Sequence, residues 1–376
     1  MGKFAELVPE RVRALVSYVP GKPIQQAEAE SGVKMVKLGS NENPFGPSPL
    51  AINAMQAAAR GVHLYPDTDM VELRERLAAL HDVALNQIIV TAGSTNLLDI
   101  LARTLLGPGL NAVTSERSFI VYPIVTRSAG AELRQVPTRH DGFDLDAISD
   151  AIDSDTRLVY IANPNNPTGT IITSQQMDRF LDRLPDTVVV ALDEAYFDYA
   201  EWIARERGVD YSHSIDYVRQ ERSVVVLRTF SKAYGLASMR VGYGMGPAEL
   251  ISYFARMKTA FIVNGLAETG ALAALDDREH YEKSMRNNAQ QLAWLTRQLR
   301  ELGYSPVESW ANFLYIETGE DAAALARRLQ MGGIIVRPLT GSWGARTAIR
   351  VTVGSPEDNR KFLEALKLAT KGAHAG

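Results

Sequence analysis

The chain has 376 residues, 46% hydrophobic and 22% charged, which is enough for a large core and two domains. A net charge of −4 argues against a nucleic-acid surface, and the absence of cysteine excludes disulfides, thiolate metal sites and a cysteine nucleophile. The stretch 1-MGKFAELVPERVRALVSYVPGKP-23 is charged throughout, so no signal peptide is read; no run reaches the roughly 18 apolar residues of a membrane span, which leaves a soluble cytoplasmic protein as the default.

A short helix is predicted over 9–17, ended by the Pro20-Gly21 pair. The stretch 33-VKMVKLGSNENPFGP-47 reads as a strand running into a Pro/Gly/Asn loop. Helical spacing returns at 48–61, with Ser48 as N-cap and Pro49 at the first helical position. A turn at 63–69 and an amphipathic helix at 70–82 follow, then a strand at 87–93 leading into a helix at 94–106. Short apolar runs recur at 111–115, 157–162, 187–193, 223–228 and 240–246, rich in Val, Ile and Leu without strict alternation, which is how strands covered on both faces read. Helical segments lie between them, at 119–130 and 174–185. The pattern predicts an α/β fold with a mostly parallel sheet. After about residue 265 it changes: helices at 266–277 and 279–303, a strand at 312–318, a helix at 320–333, strands around 334–338 and 348–354, and a last helix at 356–372. The expected organisation is an N-terminal arm, 1–35, joining a small α+β domain, 266–376, with a large domain, 36–265, between them.

Open α/β sheets bind ligands beyond the carboxyl ends of their strands. Here those ends are followed by 163-NPNNPTG-169, by Asp193, Glu194 and Tyr196, by Thr229, Ser231 and Lys232, and by Gly93, Ser94 and Thr95. Any one of these is ordinarily a solvated loop residue, and Lys232 alone is either a surface residue at a strand end or a reactive amine. Crowded onto one edge, they favour a site. Pyridoxal phosphate joins them: a lysine, Lys232, for the Schiff base; a carboxylate, Asp193, to keep the pyridine nitrogen protonated; and 93-GST-95 at a helix N-terminus as a phosphate cup, completed by Ser231 and Arg240. Tyr122 is the candidate to stack on the ring, and Asn166 and Tyr196 to bond its 3-oxygen. By contrast, 242-GYGMG-246 lacks the spacing of a dinucleotide loop and the six histidines show no metal spacing. Glu194 and Asp193 are adjacent in a strand and face opposite sides, so they are not a carboxylate pair.

The ordered set SNENPFGP (40–47), YPD (65–67), NPNNPTG (163–169), DEAY (193–196), SKAYGLASMR (231–240) and IRVTVG (349–354) resembles the fold-type I pyridoxal-phosphate aminotransferases, and most of all their histidinol-phosphate aminotransferase branch. The resemblance runs from about residue 15 to 365. It implies a seven-stranded, mostly parallel sheet flanked by helices in the large domain. It also implies ping-pong transfer of an amino group between histidinol phosphate and 2-oxoglutarate or glutamate. By this resemblance Lys232 is the Schiff-base lysine and proton shuttle, Asp193 pairs with the pyridinium, and Asn166 and Tyr196 pair with the 3-oxygen. Ser94, Thr95, Ser231 and Arg240 hold the phosphate, and Tyr65 reaches the site of a second subunit in a homodimer. Arg350 binds the substrate's anionic group, Arg337 reaches the anionic end of histidinol phosphate, and Tyr18 caps the pocket. No metal, nucleic acid or membrane is expected. Gly39 and the pair Thr95-Asn96 depart from the usual pattern, and Trp343, between the two arginines, suits an imidazole or an aromatic ring. Alternative activities are aromatic amino-acid transamination and decarboxylation of O-phosphothreonine.

Overall fold

The apolar runs become strands because both faces of the sheet they form are covered. The computed structural model describes residues 3–15 and 22–371. Twelve strands occur among them: β1 Val36–Lys37, β2 Ile88–Thr91, β3 Asn111–Ser115, β4 Glu132–Val136, β5 Thr156–Ala162, β6 Val189–Asp193, β7 Val224–Thr229, β8 Gly242–Met245, β9 Phe313–Glu317, β10 Ile334–Ile335, β11 Arg337–Pro338 and β12 Ala348–Thr352. Seven of them form the central sheet in the order β2-β8-β7-β6-β5-β3-β4. Only β8 runs antiparallel to its neighbours.

Alternate residues of each central strand enter different cores. Val159, Ile161, Val190, Leu192, Val224 and Val226 pack with Leu73, Leu77, Met177, Phe180 and Ala271 on one face. Leu158, Tyr160, Val189, Ala191, Val225 and Leu227 pack with Leu97, Leu101, Val125 and Phe254 on the other. Covering both faces removes the need for polar positions inside the strand, hence the unbroken apolar runs. The glycines of β8 serve the same packing. A Cβ on Gly242 would lie 2.8 Å from the Ser94 amide nitrogen, and one on Gly244 would lie 2.3 Å from Leu97 Cδ2. These glycines let the helix Ser94–Leu105 seat its first turn against the sheet.

Local signals act where expected. Ser48 caps the helix Pro49–Ala58 by accepting from the Ala51 amide, with Pro49 at the first position. Asp277 likewise caps the 24-residue helix Arg278–Glu301. The predicted helix at 9–17 is shorter, Glu10–Arg13: Ala14 is its C-cap and Leu15 is no longer helical, while residues 16–21 lie outside the described residues. Edge strand β4 and the helices Phe197–Arg207 and Ala248–Met257 are further elements that the sequence reading does not include.

A second core gathers around a three-stranded antiparallel sheet, β11-β12-β9, and the parallel pair β1-β10. The run 334–338, expected as one strand, is divided. Ile334 and Ile335 pair with Val36 and Lys37, whereas Arg337 and Pro338 pair with Arg350 and Ile349. Between the two pairings, Gly39 passes so close to Val336 that a Cβ there would lie 3.3 Å from its carbonyl carbon. The segment after β1 is thereby carried along the small sheet: the Leu38 amide donates to Ile335 O, and the Thr352 amide to Leu38 O. No helix among the described residues is long and apolar enough to cross a membrane.

Candidate active site

The carboxyl ends of β5, β6 and β7 and the N-terminus of the helix Ser94–Leu105 meet at one cavity. Arg337 and Arg350 close it from the small sheet, and Gly39, Ser40 and Asn41 from the segment after β1. Lys232, Asp193, Tyr196, Asn166, Ser94, Thr95, Ser231 and Arg240 all line it. Tyr18 falls outside the described residues. Tyr65 is 84% exposed, meets the Phe261 ring at a 31° tilt with centroids 4.7 Å apart, and is not in the wall of its own chain's cavity.

Asp193 ends β6 with 4% exposure. Its Oδ2 accepts from Tyr122 Oη at 3.1 Å and its Oδ1 from the Ala195 amide at 3.2 Å. Burial pushes the carboxyl up to about 6 although both donors pull it down. A carboxylate buried this far is made comfortable by a cation, which a protonated pyridine supplies.

The stacking role expected of Tyr122 is not where the structure places that residue. Its ring is fully buried, stacked on Tyr160 at 4.7 Å and 9°, and absent from the cavity wall. One helical turn carries it inward, so its hydroxyl steadies Asp193. The ring that faces the cavity is Phe119, which meets Tyr122 edge-on at 5.7 Å. Phe119 was missed because position 122 offers the hydroxyl-bearing ring, and the turn that separates the two begins only at residue 121.

The anion cup is built around a glycine. Gly93 precedes the helix with φ +84°, and a Cβ there would lie 2.6 Å from Arg240 Nη2. Only glycine therefore leaves room for the guanidinium beside the helix N-terminus. Arg240, itself left-handed at φ 54°, donates from Nη1 to Ser231 Oγ at 3.3 Å and to Ala237 O at 2.9 Å. Ser231 Oγ accepts from Thr229 Oγ1 at 3.0 Å. A guanidinium, two hydroxyls and helix amides in one cradle are a donor set for phosphate.

Lys232 Nζ donates to Ser40 O at 3.0 Å. Burial, reinforced by the Arg350 charge, holds the amine down at about 7. Such an amine keeps a large neutral fraction near neutrality, as a nucleophile and proton carrier must.

Arg350, 7% exposed, donates from Nη1 to Asn166 Oδ1 at 2.6 Å and from Nη2 to Gly39 O at 3.0 Å. Asn166 Nδ2 in turn donates to Tyr196 Oη at 3.5 Å. Arg337 is the cross-strand partner of Arg350, so both side chains leave the same face of the small sheet. Phe119, Ile120 and Trp343 form the apolar wall beside them.

Glu194 faces away from Asp193. It accepts from Arg228 Nε at 2.9 Å and Nη2 at 2.8 Å and from Ser212 and Ser214, all behind the site. Together the cup, Asp193 and Lys232 fit the phosphate, the ring nitrogen and the aldehyde of pyridoxal phosphate.

Comparison with known proteins agrees with this geometry. Residues 33–366 match the family model described as aminotransferase class I and II. The chain is 43% identical over 369 residues to histidinol-phosphate aminotransferase 2 of Pseudomonas aeruginosa, covering 97% of this chain and 98% of that protein. It is 42% identical over 361 residues to histidinol-phosphate aminotransferase of Moorella thermoacetica, covering 95% and 92%. Among solved structures, histidinol-phosphate aminotransferase from Sinorhizobium meliloti in complex with pyridoxal-5'-phosphate superposes with a TM-score of 0.88 at 27% identity, covering 97% of this chain and 98% of that one.

Proposed function

We propose, for a chain that belongs to the class I and II aminotransferases, that its amino donor is histidinol phosphate and its acceptor 2-oxoglutarate. The enzyme is a pyridoxal-phosphate-dependent aminotransferase. The observation that carries the donor assignment is the cross-strand pair Arg337 and Arg350 in one cavity wall. Two guanidiniums side by side suit a phosphate dianion, whereas the carboxylate of an ordinary amino acid needs one. The apolar wall of Phe119, Ile120 and Trp343 suits the imidazole of the same donor. The names of the relatives in Pseudomonas and Moorella support this reading.

When bound, the cofactor holds the migrating amino group and takes up the electron pair left as the donor's α-proton departs. The chain's residues do the rest. Ser94, Thr95, Ser231 and Arg240 anchor its phosphate, and Asp193, steadied by Tyr122, holds a proton on its ring nitrogen. Tyr196 and Asn166 would bond its 3-oxygen, and Phe119 would cover its ring. Lys232 Nζ, partly neutral near pH 7, accepts the α-proton and passes it on. Arg350 seats the donor's anionic group and then the carboxylate of the acceptor, so one site serves both halves of a ping-pong cycle. Phe119, Ile120 and Trp343 keep water from the reacting carbon.

The reading extends to a cytoplasmic homodimer. Tyr65, Leu64 and Val62 form an exposed apolar stretch, and Phe261 is exposed beside Tyr65, which suits a second copy placing Tyr65 at the neighbouring site.

The test is a half-reaction. Histidinol phosphate and phenylalanine are added separately to the yellow enzyme and the loss of its visible band is followed. The expected result is fast bleaching by histidinol phosphate and slow bleaching by phenylalanine. The reverse order would move the enzyme to aromatic transamination, and release of carbon dioxide from O-phosphothreonine would move it to decarboxylation.

A further inference from the structure

We infer that Asn41 is the positioning residue that orients the Tyr196 hydroxyl, tying it to the small sheet and keeping its proton directed toward the cofactor's 3-oxygen. The inference rests on the reading above, in which the cavity holds pyridoxal phosphate and Tyr196 meets that oxygen.

Asn41 is 1% exposed and stands at φ 57°, a left-handed conformation that asparagine tolerates better than most residues. Three bonds fasten it to the small sheet. Its amide N–H donates to Thr352 Oγ1 at 2.9 Å, Thr352 Oγ1 donates to Asn41 Oδ1 at 3.1 Å, and Asn312 Nδ2 donates to Asn41 O at 3.1 Å. Thr352 lies on β12, two residues beyond Arg350 and on the same face of the strand.

This network fits one orientation of the side-chain amide toward Tyr196. The Thr352 hydroxyl accepts from the Asn41 N–H and donates its own proton to Oδ1. Nδ2 is left to donate to Tyr196 Oη, at 2.9 Å. Asn166 is oriented in the same manner. Arg350 occupies its Oδ1, so Nδ2 is the atom that approaches Tyr196. A hydroxyl oxygen accepting from two amides directs its own proton elsewhere. With the Asn41 amide reversed, Tyr196 would give that proton to Oδ1 and none to the cofactor. Asn41 thus acts through Tyr196.

Two substitutions test the assignment. Asn41→Gly keeps the left-handed backbone and deletes the amide. Asn41→Asp keeps the shape and replaces the donor by an acceptor, drawing the tyrosine proton toward residue 41. The readout is the pH midpoint of the bound cofactor's visible band, with Tyr196→Phe as reference. Losing one donated hydrogen bond at the 3-oxygen should raise the midpoint by about one pH unit in each Asn41 variant. Because Asn41 works through Tyr196, Asn41→Gly should add nothing on top of Tyr196→Phe. A midpoint that stays in place in both Asn41 variants, or one that moves additively with Tyr196→Phe, overturns the assignment even if activity falls. Should Asn41→Gly fail to fold, the midpoint in Asn41→Asp decides. Absence of any visible band from the unmodified protein would overturn the cofactor reading itself, and this inference with it.

Discussion

Replacing Arg337 by leucine separates the phosphate reading from general damage to the site. Arg337 and Arg350 stand directly opposite each other on β11 and β12. In such a pair the Cα atoms are about 4.5–5.5 Å apart and the side chains share a face. Two like charges so placed cost about 0.2–1 kcal/mol in the free protein. A bound dianion offsets that cost. Removing Arg337 deletes a charge-assisted contact worth about 1.5–3 kcal/mol, which is about a 10- to 150-fold loss in kcat/KM for histidinol phosphate. Phenylalanine, whose carboxylate Arg350 can hold alone, should lose less than about threefold. Stopped-flow bleaching with each donor gives the two ratios. Equal losses for both donors would refute the assignment of Arg337 to phosphate and leave it a general support of the pocket.

The Lys232 amine, held down at about 7 by burial and then by Arg350, is neutral above that pH and charged below it. Capture of pyridoxal phosphate by the cofactor-free protein should accelerate about tenfold per pH unit below 7 and level off above; a rate independent of pH from about 5 to about 8 would contradict this. Gly93→Ala would push a Cβ to 2.6 Å from Arg240 Nη2 at a positive φ. Equilibrium dialysis should find cofactor binding weakened by at least about tenfold, the worth of one charge-assisted contact. Glu194→Leu strips the partner from Arg228, whose side chain is 8% exposed. The variant should lose about 3–5 kcal/mol in urea unfolding, and Arg228→Met on the same background should recover most of it.

The parts of the fold written as apolar runs were legible because burial on two faces leaves one composition, as in Val224–Thr229. β4 was not, since Glu132 and Gln135 are exposed on an edge strand whose sequence is mixed. The division of 334–338 between two partners depends on where the segment after β1 lies, and no local pattern in either segment encodes that. The site was read from chemistry. Lys232, Asp193, Asn166 and the cup residues are residue types for which the cofactor leaves few substitutes, and the structure brings them to one cavity. The exchange of Phe119 for Tyr122 shows the limit of that reading, because which of two rings on one turn faces the cavity is decided by packing against Tyr160. Asn41 belongs to the SNENPFGP motif, but the sequence assigned it no role. An asparagine in a Pro/Gly loop looks like turn punctuation until Thr352 and Tyr196, distant in sequence, are seen on either side of it.

The central claim is that Lys232 is the residue that captures the cofactor. Borohydride reduction of the yellow enzyme, followed by digestion and mass mapping, tests it directly. The account predicts one added phosphopyridoxyl group, located on Lys232 within 228-RTFSKAYGLASMR-240, and none in Lys232→Ala. A label on Lys37 or Lys258, or one spread over surface lysines with Lys232 unmodified, would contradict it.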